Sequence, residues 1–207
     1  MSFHPDQLDW KKTNDLIPVI IQDHNTLQVL MLGYMNQAAL NQTMESGRVT
    51  FYSRSKQRLW VKGETSNHFL NLITIAKDCD QDALLITVNP EGPTCHLNKT
   101  SCFGDTIAPG LGFLAYLEQV IIQRAKDKPE GSYTAKLMQE GLLRLAQKVG
   151  EEGVEVALAA VAEPDKLPEE LADLWYHAMM LIVASNLDLQ TIITIMRGRH
   201  QSLQQRG

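Results

Sequence analysis

The sequence predicts an α+β, strand-rich N-terminal domain over residues 1–110 and an all-α helical-bundle domain over residues 111–207. Three observations carry that expectation. Short runs of β-branched and aromatic residues, separated by turn chemistry, occupy the first half. Helical spacing of apolar residues fills the second half, where almost nothing alternates with period two. A length of 207 residues suits one or two domains, and strands followed by helices favour two units over one interleaved sheet.

In chain order, residues 19–22 and 29–34 read as the first strands. A helix follows: Asn36 is a good N-cap, Ala38, Ala39 and Leu40 favour helix, and Gly47 stands where a C-terminal glycine belongs. Residues 49–53, 69–76 and 83–88 read as further strands, and residues 89–112 as loop, rich in Gly, Pro, Thr, Ser and Cys. Helices are expected over 113–124, 133–140, 142–162, 169–186 and 189–200. Ser132, Pro168 and Asp188 supply start signals, and Pro164 with Pro168 separates the two longest helices.

Composition narrows the function classes. Hydrophobic residues at 44% and charged residues at 21% are ordinary globular values. The 19 basic and 24 acidic residues give a net charge of -5, split as 9 and 11 before residue 108 and 10 and 13 after it. Neither half is a basic module, so neither nucleic acid nor an anionic membrane is an expected partner. No apolar run approaches the ~20 residues of a membrane span, and the first residues lack the order of a signal peptide. The cytoplasm is the expected location.

Cys79, Cys95 and Cys102 are the three cysteines, and an odd, clustered set does not fit a disulfide framework. Thiolates with a neighbouring histidine suit Zn²⁺, and three protein ligands leave a position for water. His96 is either a fourth ligand or a group that moves protons beside the metal. Asp78, Asp80 and Asp82 flank Cys79. If the strand before them continues, the aspartates share one face and Cys79 takes the other. Each carboxylate pair at ~4 Å costs about 4 kcal/mol at an effective dielectric of 20, which a hard cation such as Mg²⁺ relieves.

The surrounding words are specific. Leu8-Asp9-Trp10, Leu30-Met31-Leu32-Gly33-Tyr34-Met35-Asn36, Ser53-Arg54-Ser55-Lys56-Gln57-Arg58-Leu59-Trp60, Lys62-Gly63-Glu64-Thr65-Ser66, Asp78-Cys79-Asp80 and Ser101-Cys102-Phe103 together resemble phosphoribosyl-AMP cyclohydrolase of histidine biosynthesis, over about residues 8–106. The resemblance implies a catalytic zinc on Cys79, Cys95 and Cys102 at a homodimer interface, with Cys79 from one subunit and the other two from its partner. It also implies Mg²⁺ on Asp78, Asp80 and Asp82. A zinc-activated water would then hydrolyse the N1–C6 bond of the adenine ring of phosphoribosyl-AMP. Arg54, Lys56, Arg58 and Lys62, with Thr65 and Ser66, are candidates for the substrate phosphates. Two words depart from the family pattern: Asn67 replaces a usual glycine, and Leu97-Asn98 replaces Thr-Gly after Cys95-His96. Asn tolerates the left-handed backbone better than most residues, so both loops can keep their shape.

The helical half carries a second constellation. At ~100° per residue, Glu151, Glu152 and Glu155 share one face of a helix. Leu142, Val149, Val156 and Ala160 lie on one flank of that face and Val154, Leu158 and Val161 on the other, which predicts a helix packed inside the bundle. Glu170 and Asp173 repeat the device on the next helix, where Leu171, Leu174 and Trp175 surround them and His177 reads as a satisfied core histidine. Inward acids from two helices can chelate Mg²⁺, which points to phosphate chemistry, with Lys136, Arg144 and Lys148 as polyphosphate contacts.

Ser132-Tyr133-Thr134-Ala135-Lys136-Leu137 and Gln147-Lys148-Val149-Gly150-Glu151-Glu152-Gly153-Val154-Glu155 resemble phosphoribosyl-ATP pyrophosphohydrolase, over about residues 113–203. The resemblance puts Glu151, Glu152, Glu155, Glu170 and Asp173 at the family's acidic motif. It implies Mg²⁺ on Glu152, Glu155, Glu170 and Asp173, with Glu151 and Glu152 catalytic. Phosphoribosyl-ATP would lose pyrophosphate there, so the two halves would act in sequence on one substrate.

Overall fold

A computed structural model describes residues 3–104, 107, 108 and 110–204; Asp105 and Thr106, the end of the first resemblance, lie outside the described residues. The chain divides into two compact units, 1–113 and 114–207.

The first unit is built on strands β1 (Ile17–Asp23), β2 (Val29–Met35), β3 (Thr50–Ser53), β4 (Arg58–Val61), β5 (Leu70–Lys77) and β6 (Leu84–Pro90), with helix α1 (Gln37–Ser46) after β2. Four strands form a sheet in the order β2-β1-β6-β5, and β3 and β4 form a separate antiparallel pair. β1 runs parallel to β6 and antiparallel to β2, and β5 runs antiparallel to β6. Alternation does the sorting: Ile17, Val19 and Ile21 of β1 and Leu84, Ile86 and Val88 of β6 are fully buried on one face, with Leu40 of α1 and Phe51 in the same core. Gly33 makes room for that core, since a Cβ there would lie 2.3 Å from the Phe51 ring.

α1 begins and ends as its sequence dictates. The Asn36 side chain accepts from the Ala39 amide, and Gly47 closes the helix at φ 69°. Strand β4 was not expected from sequence. It pairs Arg58 with Ser53 and Val61 with Thr50 across a tight turn.

The second unit holds α2 (Gly112–Asp127, whose first two residues belong to the first unit), α3 (Tyr133–Glu140), α4 (Leu142–Ala162), α5 (Leu167–Ala184) and α6 (Leu189–Gln204). Ser132 caps α3 by accepting from the Ala135 amide, and Asp188 accepts from the Thr191 amide at the start of α6. Ile121, Leu137, Leu145, Met179 and Met180 make the core. One expectation fails here. Val154, Leu158 and Val161, read as a second packed flank of α4, are 60%, 62% and 89% exposed; Leu142 and Ala160 of the first flank are exposed as well, Val149 and Val156 are half-buried, and Leu171 and Trp175 of α5 are exposed too. Within the unit α4 packs against α3 and α5, and these exposed positions lie outside that contact. Among the described residues no single helix is long and apolar enough to cross a membrane; α5 and α6 reach that composition only as a pair bent by 106°.

Candidate active sites

A cleft of about 570 Å³ opens in the first unit, lined by Lys56, Arg58, Lys62, Thr65, Ser66, His96 and both Cys95 and Cys102, among others. Local backbone chemistry builds it. The Ser101 hydroxyl donates to the Val29 carbonyl at 2.8 Å and the Cys102 amide to the Leu30 carbonyl at 2.8 Å, which pins Cys102 to β2. Cys95 sits in a closed loop: its amide donates to the Lys99 carbonyl and its carbonyl accepts from the Asn98 amide. Asn98 holds φ 63° and Asn67 φ 60°, so both asparagines occupy the left-handed backbone that their loops require. Gly63 turns the opposite wall at φ 98°, where a Cβ would lie 2.6 Å from the His68 carbonyl oxygen.

The two sulfurs are neighbours. Burial foremost, then the Cys95 sulfur beside it, pushes the Cys102 thiol up, so it gives up its proton readily only next to a cation. Burial also pulls the Lys62 amine down, opposed by the two thiols. The His96 Nδ1 lies 3.9 Å from the Cys95 sulfur. This donor set suits a thiolate-bound metal. The buried Thr94 hydroxyl in the same wall has no hydrogen-bond partner.

Cys79 is exposed and does not join the pair: the ligand-grade groups of three found among the described residues contain no cysteine. The phosphate candidates divide as well. Lys56, Lys62, Thr65 and Ser66 face the cleft; Arg58 does too, bound to Glu64 at 2.6 Å; Arg54 instead stacks over the Tyr34 ring, 3.9 Å from its centroid. Glu64, Trp60 and His68 also line the cleft. Sequence reasoning missed Glu64 and Trp60 although both stand in the quoted words, and His68 carries no local signal.

Asp78, Asp80 and Asp82 do converge, with ligand atoms within 4.8 Å of one another. The reason differs from the expected strand alternation. β5 stops at Lys77, and the chain reverses to pair with β6, so residues 78–83 form a turn. The Asp78 carboxylate accepts from the amides of Asp82 and Ala83 at 3.0 and 3.1 Å, and Gln81 takes φ 67°.

In the second unit, Glu152 and Glu155 of α4 and Glu170 of α5 bring their carboxylates within 4.8 Å of one another. Glu152 is buried. Its charge foremost, with burial second, pushes the Glu155 carboxyl up. Three acids this close suit a divalent ion. Lys148 donates to Glu152 at 2.8 Å and to Glu151 at 3.1 Å, and Arg144 reaches Glu151 at 3.1 Å. The hydrogen bond from Lys148 foremost holds the Glu151 carboxyl below the usual range. Asp173 is exposed and stays outside the group of three. His177 is buried, with Nδ1 donating to the Asp173 carbonyl at 2.9 Å and lying 3.4 Å from the Glu152 carboxylate, while Nε2 and the Tyr133 hydroxyl share a hydrogen bond of 2.9 Å. Lys136 lines a different recess, at the start of α3, with Lys128, Ser132 and Tyr133.

Comparison with known proteins gives these sites a context. Residues 31–104 match the phosphoribosyl-AMP cyclohydrolase family and residues 114–200 the phosphoribosyl-ATP pyrophosphohydrolase family. The chain is 57% identical over 196 residues to the histidine biosynthesis bifunctional protein HisIE of Escherichia coli K12, covering 94% of this chain and 96% of that protein. It is 55% identical over 196 residues to the protein of that name from Salmonella typhimurium, with the same coverage. Identity to the one from Xylella fastidiosa is 54% over 195 residues, 94% of this chain and 93% of that protein. Two hydrolase domains in that order, over nearly the full length of these relatives, place the chain in the HisIE family of bifunctional histidine-biosynthesis enzymes.

Proposed function

We propose that the helical unit cleaves phosphoribosyl-ATP to phosphoribosyl-AMP and pyrophosphate, and that the strand-rich unit then opens the adenine ring of that product. What carries the reading is the Cys95–Cys102 pair inside a cleft whose walls hold Lys56, Lys62, Thr65 and Ser66. Cys95 and Cys102 would hold zinc as thiolates, and the metal would supply a bound water of pKa ~7, a nucleophile at neutral pH. Lys56 and Lys62, with the Thr65 and Ser66 hydroxyls, hold the substrate phosphates. His96, beside Cys95, moves the proton: water oxygen bonds to C6, the N1–C6 bond breaks, and the proton ends on N1. Cys79 completes the ligand set in a homodimer, where Cys79 of the partner subunit meets Cys95 and Cys102. The exposed apolar flank Val154, Leu158 and Val161 supports a dimer, because a second copy would cover it.

In the helical unit, Glu152, Glu155 and Glu170, with Asp173 beside them, would hold magnesium, which would supply charge neutralisation for the triphosphate and a bound water. Arg144 and Lys148, beside the acids, would hold the polyphosphate, with Lys136 a candidate for a more distant contact from the recess at the start of α3. Glu151, kept ionised by Lys148 and Arg144, takes the proton of the attacking water. Asp78, Asp80 and Asp82 would hold a second magnesium ion in the first unit. The cytoplasm, where three free thiols stay reduced, suits the enzyme.

Cys95→Ser in the full chain tests the thiol site. Ring opening of phosphoribosyl-AMP should be lost while the dimer and pyrophosphate release persist. Loss of the dimer with ring opening intact would make the thiols a structural clasp instead.

A further inference from the structure

The acidic turn already holds a cation of the chain's own. The Lys12 ammonium donates to the carboxylates of both Asp80 and Asp82, bridging two of the three convergent acids. It is placed there rather than left to wander. The Asp9 amide donates to the Gln81 carbonyl at 2.8 Å, which docks the N-terminal segment on the turn. The Lys12 amide in turn donates to the Asp9 carboxylate at 3.1 Å, fixing the backbone from which the side chain reaches over.

We propose that Lys12 is a resident competitor for the divalent cation of the Asp78, Asp80 and Asp82 turn. The proposal rests on the reading of that turn as a magnesium site. An ammonium between Asp80 and Asp82 and a divalent ion bound to the same two carboxylates exclude each other, because both need the same oxygens and repel. The ammonium cancels part of the repulsion among the acids, so the metal-free turn stays folded. Its side chain is 43% exposed, so water screens the pairs and a divalent ion can displace it. Lys12 thereby sets the metal concentration at which the front site fills, and metal entry frees the ammonium.

The test is Mn²⁺ binding to the zinc-loaded full chain, followed by electron paramagnetic resonance, with the front site identified as the one lost in Asp80→Asn. Lys12→Met should tighten that site roughly tenfold, as expected on removing two exposed ion pairs. Lys12→Arg, which keeps the charge, should stay near the unsubstituted protein. An unchanged or weaker site in Lys12→Met would overturn the competition while leaving the metal reading of the turn intact. If Asp80→Asn removes no Mn²⁺ site in either background, the metal reading fails and the competition falls with it.

Discussion

At the scale of single residues, backbone conformation and carboxylate spacing make distinct demands. Gly63 turns a wall of the thiol cleft at φ 98°, with the His68 carbonyl oxygen 2.6 Å from where a Cβ would be. Gly63→Ala should therefore depress ring opening of added phosphoribosyl-AMP at least tenfold, while pyrophosphate release from phosphoribosyl-ATP continues at its original rate; separate assays of the two steps check this. Asn98→Gly keeps the left-handed backbone and should leave ring opening near its starting rate, whereas Asn98→Val should lose it. Glu155 poses an electrostatic problem, because Glu152 holds its carboxyl above the usual range. A carboxyl pushed up in this way penalises the folded state only when ionised. The penalty is present above the raised pKa and is relieved as pH falls through it. On the proposed reading, magnesium bound there would relieve the same penalty at neutral pH. Glu155→Gln should leave the metal-free melting temperature unchanged or raised and reduce the rise that Mg²⁺ produces to the part that Asp80→Asn removes, as read by calorimetry at pH 7 with and without the ion.

At the scale of elements, caps and turns decide where the site residues fall. Ser132 accepts from the Ala135 amide and starts α3, so Ser132→Ala should lower the stability of the helical unit by about 1 kcal/mol in urea unfolding. Such caps were legible in sequence because their chemistry is local: Asn36 and Gly47 bracket α1, and Ser132 opens α3, as their residue types require. Strand β4 was not legible. Four residues that begin with Arg58 carry too little alternation, and the pairing with β3 is what makes them a strand. The acidic turn shows the same limit from the other side. Strand periodicity put the three aspartates on one face, but β5 ends at Lys77 and a turn closed by the Asp78 carboxylate brings them together. The α4 carboxylates were readable because 100° per residue fixes which glutamates share a face, and α5 packs against that face. The opposite flank, Val154, Leu158 and Val161, was misplaced because apolar spacing marks a hydrophobic surface without showing whether this chain's own helices cover it.

At the scale of the whole molecule, one chain carries two candidate sites that share no residues: thiols in a strand-built cleft, and carboxylates between two helices. A homodimer would cover the α4 flank, and Val161→Asp, at a position 89% exposed in one chain, should shift the protein towards monomer in sedimentation without unfolding it. The most direct test follows both products from phosphoribosyl-ATP, in the presence of zinc and magnesium, for the unsubstituted protein, Cys95→Ser and Glu152→Gln. Cys95→Ser should release pyrophosphate and accumulate phosphoribosyl-AMP, while Glu152→Gln should release none yet still open the ring of phosphoribosyl-AMP supplied directly. A single substitution that abolishes both steps in a folded protein, or a Cys95→Ser protein that opens the ring at its original rate, would contradict two independent water-activating sites.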